Sequence, residues 1–400
     1  MRAVSVFTLV LAACAAPLAW QTATPASPAR QAVDTDAPVT ADQVNGSIDQ
    51  LGTLEFRIRN NAARTIRRAP AAIAVPALMQ AAKSHPDGYA RFRSLVLLSG
   101  FNDPRTRDVM AQMLRDPNDR LRSVAYTWFE HNPDKAIVPR LIEALGREES
   151  EFVRPALTRA LAAYGSDPAA RQAMTGLVMK GQAFFRSIVI EAIGDYRGAY
   201  AIEPITDVAR IDGPLQDDAA LALGKIGDKS SLPVLAQLQQ SAPRESQPAI
   251  AAGICLLGVN CASHESYIVK SLEFSIANIG FQELLRGAAN ALAALGASER
   301  AQAVVALIER GAPTRDPARA AIALALGTVA LRNAPVLLKV LERESLLAPA
   351  AELLREAFDM LEEDFEEERF FVTVRRSYWQ SAKDPAARKV AETLIKALEF

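Results

Sequence analysis

The sequence predicts an all-α chain built as a solenoid, with about nine helical pairs stacked one on the next. Three observations carry this. Half of the 400 residues are hydrophobic but only 6% are aromatic, so the core must be made of Ala, Leu, Ile and Val. Apolar residues recur at helical rather than alternating spacing. The same unit also returns along the chain: an Ala/Leu helix, a glycine with a polar turn, then a second helix with proline in its first turn.

The balance of 45 Lys and Arg against 46 Asp and Glu gives a net charge of −1, which excludes a general polyanion or membrane-surface binder. Three cysteines and three histidines exclude a disulfide-dense or metal-rich scaffold.

In chain order, residues 1–13 read as an export signal. Met1-Arg2 is followed by an apolar stretch to Ala13, too short to span a bilayer, which needs ~20 apolar residues. Leu11-Ala12-Ala13-Cys14 resembles the lipobox of bacterial lipoproteins, and on that resemblance Cys14 is the acylated residue. Cleavage after Ala15, giving a soluble exported protein, is the rival reading, and an uncleaved or cytosolic chain is a third. Residues 14–45 read as a disordered tether, since small, polar and proline residues dominate QTATPASPARQAVDTDAPVT. Both main readings place the chain outside the cytoplasm, as a lipoprotein on the periplasmic side of a membrane or as a soluble periplasmic protein.

Residues 46–345 read as the solenoid. The clearest copy, from Asp218 to Gln240, is DAALALGKIGDKSSLPVLAQLQQ; others start at Arg186, Ala288 and Arg319, with weaker ones near Arg93, Arg122, Leu157 and Ile250. Anchors recur at roughly 29 to 38 residues, the length of a helical pair. Ala219, Ala220, Ala222 and Gly224 are small, so neighbouring first helices can approach closely, while Leu221 and Leu223 fill the seam. Gly194 and Gly227 are expected to end first helices in the left-handed conformation, with Asp195 and Asp228 capping the next helix. Pro76, Pro139, Pro204, Pro233 and Pro335 are expected in the opening turn of second helices, where no intrahelical N–H bond is lost. Leu232, Leu235 and Leu238 form a stripe that one pair cannot bury alone, so stacking is compulsory.

Ala220 to Leu235 nearly spells the signature A-x-x-L-G-x-I-G-D-x-x-A-V-P-x-L, and on it the chain resembles HEAT-repeat proteins, specifically the HEAT-like repeats of the phycobilisome-lyase type. The resemblance implies a right-handed α-solenoid whose second helices line a concave surface that binds other proteins. Tetratricopeptide repeats share the length but lack the Gly-Asp turn and the proline after it. The expected concave lining is the set of polar positions between buried leucines: Arg107, Gln112, Arg140, Glu143, Asp207, Arg210, Gln237, Glu309 and Lys339. Their mixed signs specify no ligand class.

Residues 258–287 are longer than a standard second half, so an insertion or kink is expected there. Residues 346–400 read as a helical cap. Leu354, Phe358, Leu361 and Phe365 mark one long amphipathic helix, with Glu362, Glu363, Asp364, Glu366 and Glu367 as its solvated face.

Groups that could carry chemistry are sparse along the chain. His85, His131 and His264 are far apart in sequence, so no metal and no cofactor is expected. His264-Glu265 resembles one pair of the HEAT-repeat di-iron hydroxylases, a family that needs four. Phycobilin lyases share the repeat, but an exported chain does not fit their pigment partner. HEAT-like DNA glycosylases use a basic concave face, and residues 51–130 carry an excess of Lys and Arg including Arg57, Arg59, Arg64, Arg67 and Arg68. Only Trp128 accompanies them there, so no nucleic-acid partner is expected. The reading is a non-catalytic protein-binding scaffold of the cell envelope. An enzyme with a concave-face site and a passive envelope spacer remain as alternatives. Cys255 and Cys261 flank a glycine reversal, ICLLGVNC, and are expected to form a disulfide; the other reading of Cys255 is a small buried hydrophobe.

Overall fold

The computed structural model describes residues 38–400 except 212, 362, 363 and 382. The export signal and Cys14 lie outside the described residues. The described chain has 22 α-helices and, among those residues, no strand. No single described helix is long and apolar enough to cross a membrane.

Odd- and even-numbered helices form two layers. The first pairs are α1 (Ala41–Gln50) with α2 (Phe56–Arg68), α3 (Ala71–Ser84) with α4 (Gly88–Ser99), and α5 (Thr106–Met113) with α6 (Asp119–His131). Next come α7 (Val138–Leu145) with α8 (Arg154–Ala163), α9 (Pro168–Val178) with α10 (Ala183–Asp195), and α11 (Ile202–Ala209) with α12 (Gln216–Ile226). They continue with α13 (Leu232–Ser241) and α14 (Gln247–Leu256), then α15 (Cys261–Ala277) and α16 (Gln282–Ala297). The last are α17 (Ala301–Gly311) with α18 (Ala318–Arg332) and α19 (Ala334–Leu341) with α20 (Glu344–Leu361), followed by α21 (Asp364–Gln380) and α22 (Pro385–Leu398).

The solenoid begins earlier than the composition implied. Thr40 and Gln43 form a reciprocal capping box, Gln43 N donating to Thr40 Oγ1 at 3.3 Å and Thr40 N to Gln43 Oε1 at 2.9 Å. The tether boundary at 45 is therefore too late, because this cap and the buried Val44 and Ile48 hold α1 in place.

Even helices pack most closely on one another, and the cause is side-chain size. A Cβ on Gly224 would lie 2.5 Å from Gly253 Cα, and one on Gly194 2.8 Å from Ala222 Cα. In a curved stack the inner layer has the shorter arc, so its helices must be the closer ones. The even layer is accordingly the inner wall.

Turn chemistry matches the expectation at Gly227, which is left-handed with φ of 82°, and at Asp228, whose side chain accepts from Ser230 N at 2.9 Å. It differs at Gly194, which stays inside α10; the left-handed residue there is Arg197 (φ 52°), and Asp195 turns inward to cations rather than capping. Pro76 is also displaced from its expected place. It sits inside α3, which opens on Pro70, whose carbonyl takes the N–H groups of Ile73 and Ala74 at 2.9 Å.

Residues 258–287 contain no inserted domain, only a longer α15. Cys255 and Cys261 are joined by a disulfide across left-handed Gly258 and Asn260, with Cα atoms 4.1 Å apart.

The largest departure is at the C-terminus. The expected long helix breaks after Leu361, and α21 returns to pack on α4 as well as α18, bringing the end of the stack to its beginning. Phe365 joins the core of the N-terminal half. Glu362 and Glu363 lie outside the described residues, but Glu366 of the acidic run is not on a solvated face: it is 4% exposed, and its neighbour Glu368 1%.

Candidate functional site

The inner helices α6, α8, α10, α12 and α18 send charged side chains into one central cleft, closed on one side by α21. Arg159 on α8 is the hub. Its Nε lies 3.2 Å from Glu130 Oε1, its Nη2 3.0 Å from Asp195 Oδ2 and its Nη1 3.8 Å from Glu191 Oε1. Lys225 Nζ holds the other Asp195 oxygen at 2.7 Å, and the Tyr196 hydroxyl donates to Glu130 Oε1 at 2.8 Å. Around α21, Glu366 Oε1 meets His131 Nε2 at 2.7 Å and Glu366 Oε2 meets Arg369 Nη1 at 2.5 Å. Phe365 stacks on the His131 ring, centroids 6.2 Å apart. The space between these groups is about 410 Å³, bordered also by Arg332 and Asn333 at the end of α18.

Burial and charge pull these groups in different directions. Burial disfavours ionised Glu366, but His131, Arg369 and Arg332 outweigh it and hold the carboxyl well below its ordinary range. Asp195 is likewise held low by Lys225 and Arg159 against the cost of burial. Burial and the adjacent Glu130 push the Tyr196 hydroxyl upward.

Asp218, on α12 facing the cleft, is the exception. Burial, with Glu191 and Asp217 nearby, raises its carboxyl to about 6. Because the folded value lies above the ordinary 3.8, the ionised form opposes folding at neutral pH and the penalty fades as pH falls through 6 toward 4. Asp218→Asn should therefore stabilise the chain by about 1 to 2 kcal/mol at pH 8 and by nothing near pH 4. Urea midpoints at the two pH values check this; an equal gain at both would mean the carboxyl is not the cause.

The residues expected on the binding face lie in the other layer. Arg107 and Gln112 are on α5, Arg140 and Glu143 on α7, Asp207 on α11 with Arg210 just after it, Gln237 on α13, Glu309 on α17 and Lys339 on α19. They lie away from the cleft, and several are tied locally: Arg107 to Asp134 at 2.6 Å, Glu143 to Arg115 at 3.1 Å, Lys339 to Glu342 at 2.5 Å. The small residues Ala219, Ala220, Ala222 and Gly224 already marked α12 as a closely packed helix, but the structure was needed to place that close layer on the inside.

The basic N-terminal region and the acidic C-terminal run, read separately in the sequence, face each other here. Arg67 Nη2 lies 2.5 Å from Glu368 Oε2, Arg93 pairs with Asp364, and the Arg67 guanidinium stands over the Phe371 ring. Trp128 is 8% exposed, so it offers no stacking platform for a base.

A second feature lies on the rim where the inner helices begin. Among the described residues, most large exposed apolar side chains are on turns entering even helices, or in the first turn. Leu54 and Phe56 precede or open α2, Phe152 precedes α8, Met179 and Phe184 flank the start of α10, Ile211 precedes α12, and Ile279 precedes α16.

The fold and the cleft define an α-solenoid of HEAT-like repeats closed by its own C-terminal helix. Residues 110–194, from α5 into α10, match the family of HEAT repeats, and the same alternation of helices continues on both sides of that stretch. Among solved structures the chain is similar to YibA of Escherichia coli, at 17% identity over 55% of this chain and 83% of that one, TM-score 0.41. It is also similar to the complex of CpcE and CpcF of phycocyanin lyase from a Nostoc species (18%, 65% of this chain and 97% of that one, 0.39). A third is Kap95p, solved with RanGDP (11%, 88% of this chain and 53% of that one, 0.36). No curated protein matches the chain.

Proposed function

We propose that this protein is a non-catalytic protein-binding scaffold of the bacterial cell envelope, exported and held on the periplasmic side of a membrane by acylation at Cys14. The observation that carries the binding role is the rim. Scattered exposed hydrophobics are ordinary, but their concentration on equivalent turns of successive pairs gives one apolar edge, with Phe152, Phe184 and Ile211 62%, 69% and 58% exposed. A solenoid presents such per-repeat positions in register, so a partner can contact several at once. The rim is preferred over the concavity because the chain's own α21 closes one side of the inner face and a dense ion-pair network already pairs its charged groups.

Photo-crosslinkers at positions 152 and 184, in intact cells, should trap a defined partner that crosslinkers at 140 and 237 on the outer layer do not. The pair Phe152→Ser and Phe184→Ser should abolish a crosslink formed from position 211. Crosslinks from the outer layer alone would overturn this choice of surface, and none anywhere would favour a passive spacer. In the same cells Cys14→Ser should move the protein from the membrane to the soluble fraction, since each buried acyl methylene contributes about 0.8 kcal/mol. One observation favours the alternative of an inner-face chemical site: the like-charged Glu191, Asp217 and Asp218, with Asp218 raised to about 6.

A further inference from the structure

We propose that Glu130, His131 and Glu366 bind one divalent transition-metal cation, which fastens the C-terminal helix α21 to the end of α6. Glu130 and His131 are neighbours in the chain, but nothing in the sequence joins them to Glu366, 235 positions beyond His131. In the fold, one ligand atom from each of the three lies within 4.8 Å of the others, the span a single ion can bridge.

Two independent observations point to a cation. Glu130 is 3% exposed, and its Oε2 is buried with no hydrogen-bond partner, which is costly for a carboxylate oxygen unless something positive meets it. Its Oε1, by contrast, is fixed by Tyr196 and Arg159, the kind of second partner that orients a metal-binding carboxylate. The second observation is a conflict at His131. Its Nε2 is 2.7 Å from Glu366 Oε1, which can only accept, and 2.8 Å from Arg369 Nη1, which can only donate. One ring nitrogen cannot answer both at once. A cation removes the conflict, because the Nε2 lone pair and the carboxylates can all point to it. Arg369 already puts positive charge there, and its side chain, 43% exposed, has solvent to move into.

The chemistry of the donors sets the class of ion. One imidazole nitrogen and two carboxylate oxygens suit Zn²⁺, Co²⁺ or Mn²⁺. Calcium and magnesium favour all-oxygen sets.

The test uses the full-length chain freed of metal by a chelator and titrated with Co²⁺. One Co²⁺ per chain, with visible d–d absorption that Zn²⁺ removes, is the expected result. Glu130→Gln keeps the side chain's shape but replaces one acceptor oxygen with an NH2 group, and it should weaken binding at least tenfold, as should His131→Gln. Each variant's helicity is checked by circular dichroism. In the unaltered chain Co²⁺ should also slow amide exchange in α6 and α21 together, a readout independent of either variant folding. Absence of stoichiometric binding, equal affinity in folded variants, or exchange unchanged in those two helices overturns the site.

Discussion

Glu368→Ala should destabilise the protein by about 3 to 5 kcal/mol, the range for removing one partner of a buried ion pair. The carboxylate is 1% exposed and serves two guanidiniums, Arg67 at 2.5 Å and Arg375 at 3.2 Å. Arg67 is itself only 9% exposed, so truncation strands its charge among apolar groups rather than releasing it to water. The loss should fall mainly on the junction between the two ends of the stack. Limited proteolysis is therefore expected to cut within residues 345–400 of the variant sooner than in the parent. Replacing the pair by apolar residues, Arg67→Met with Glu368→Leu, should cost less than the single change, because no unpaired charge is left behind. A loss under about 1 kcal/mol for Glu368→Ala would show that the helix is not held by this pair.

A larger effect is expected at Gly253. A Cβ there would stand 2.5 Å from the carbonyl oxygen of Ala220, a backbone atom that cannot move without shifting α12, and Gly224 faces it just as closely. Gly253→Val should cost about 4 kcal/mol or more, beyond ordinary overpacking, because the obstacle is main chain rather than a side chain that can rotate. Gly176, on the outer helix α9, has nothing within 4 Å of its would-be Cβ. Gly176→Ala should stabilise by about 0.5 to 1 kcal/mol through helix propensity alone. Guanidinium midpoints of the two variants give the comparison, and similar losses in both would contradict the assignment of inner and outer layers.

Much of the architecture was legible in the amino-acid order. The Gly227-Asp228 turn and the small face formed by Ala219, Ala220 and Gly224 needed only local rules. Gly194 misled because the turn after it, DYRGAYAIEP, is longer than DKSSLP and moves the left-handed position to Arg197. The acidic run misled for a different reason. Like charges on a terminal helix are usually solvated, and nothing nearby in the chain announces that Arg93 and His131, from α4 and α6, come to meet them.

The sequence by itself determined the helices, their pairing, most of their caps and the need to stack, because each depends on residues within a few turns of one another. Only the tertiary structure decided which layer is inner, that the stack curls far enough for α21 to reach α4, and that His131 meets Glu366. Curvature is the sum of small rotations between successive pairs, each set by how closely two inner helices approach. Such a sum has no local signature, yet it alone brings Arg67 and Glu368, 301 residues apart, into one buried pair.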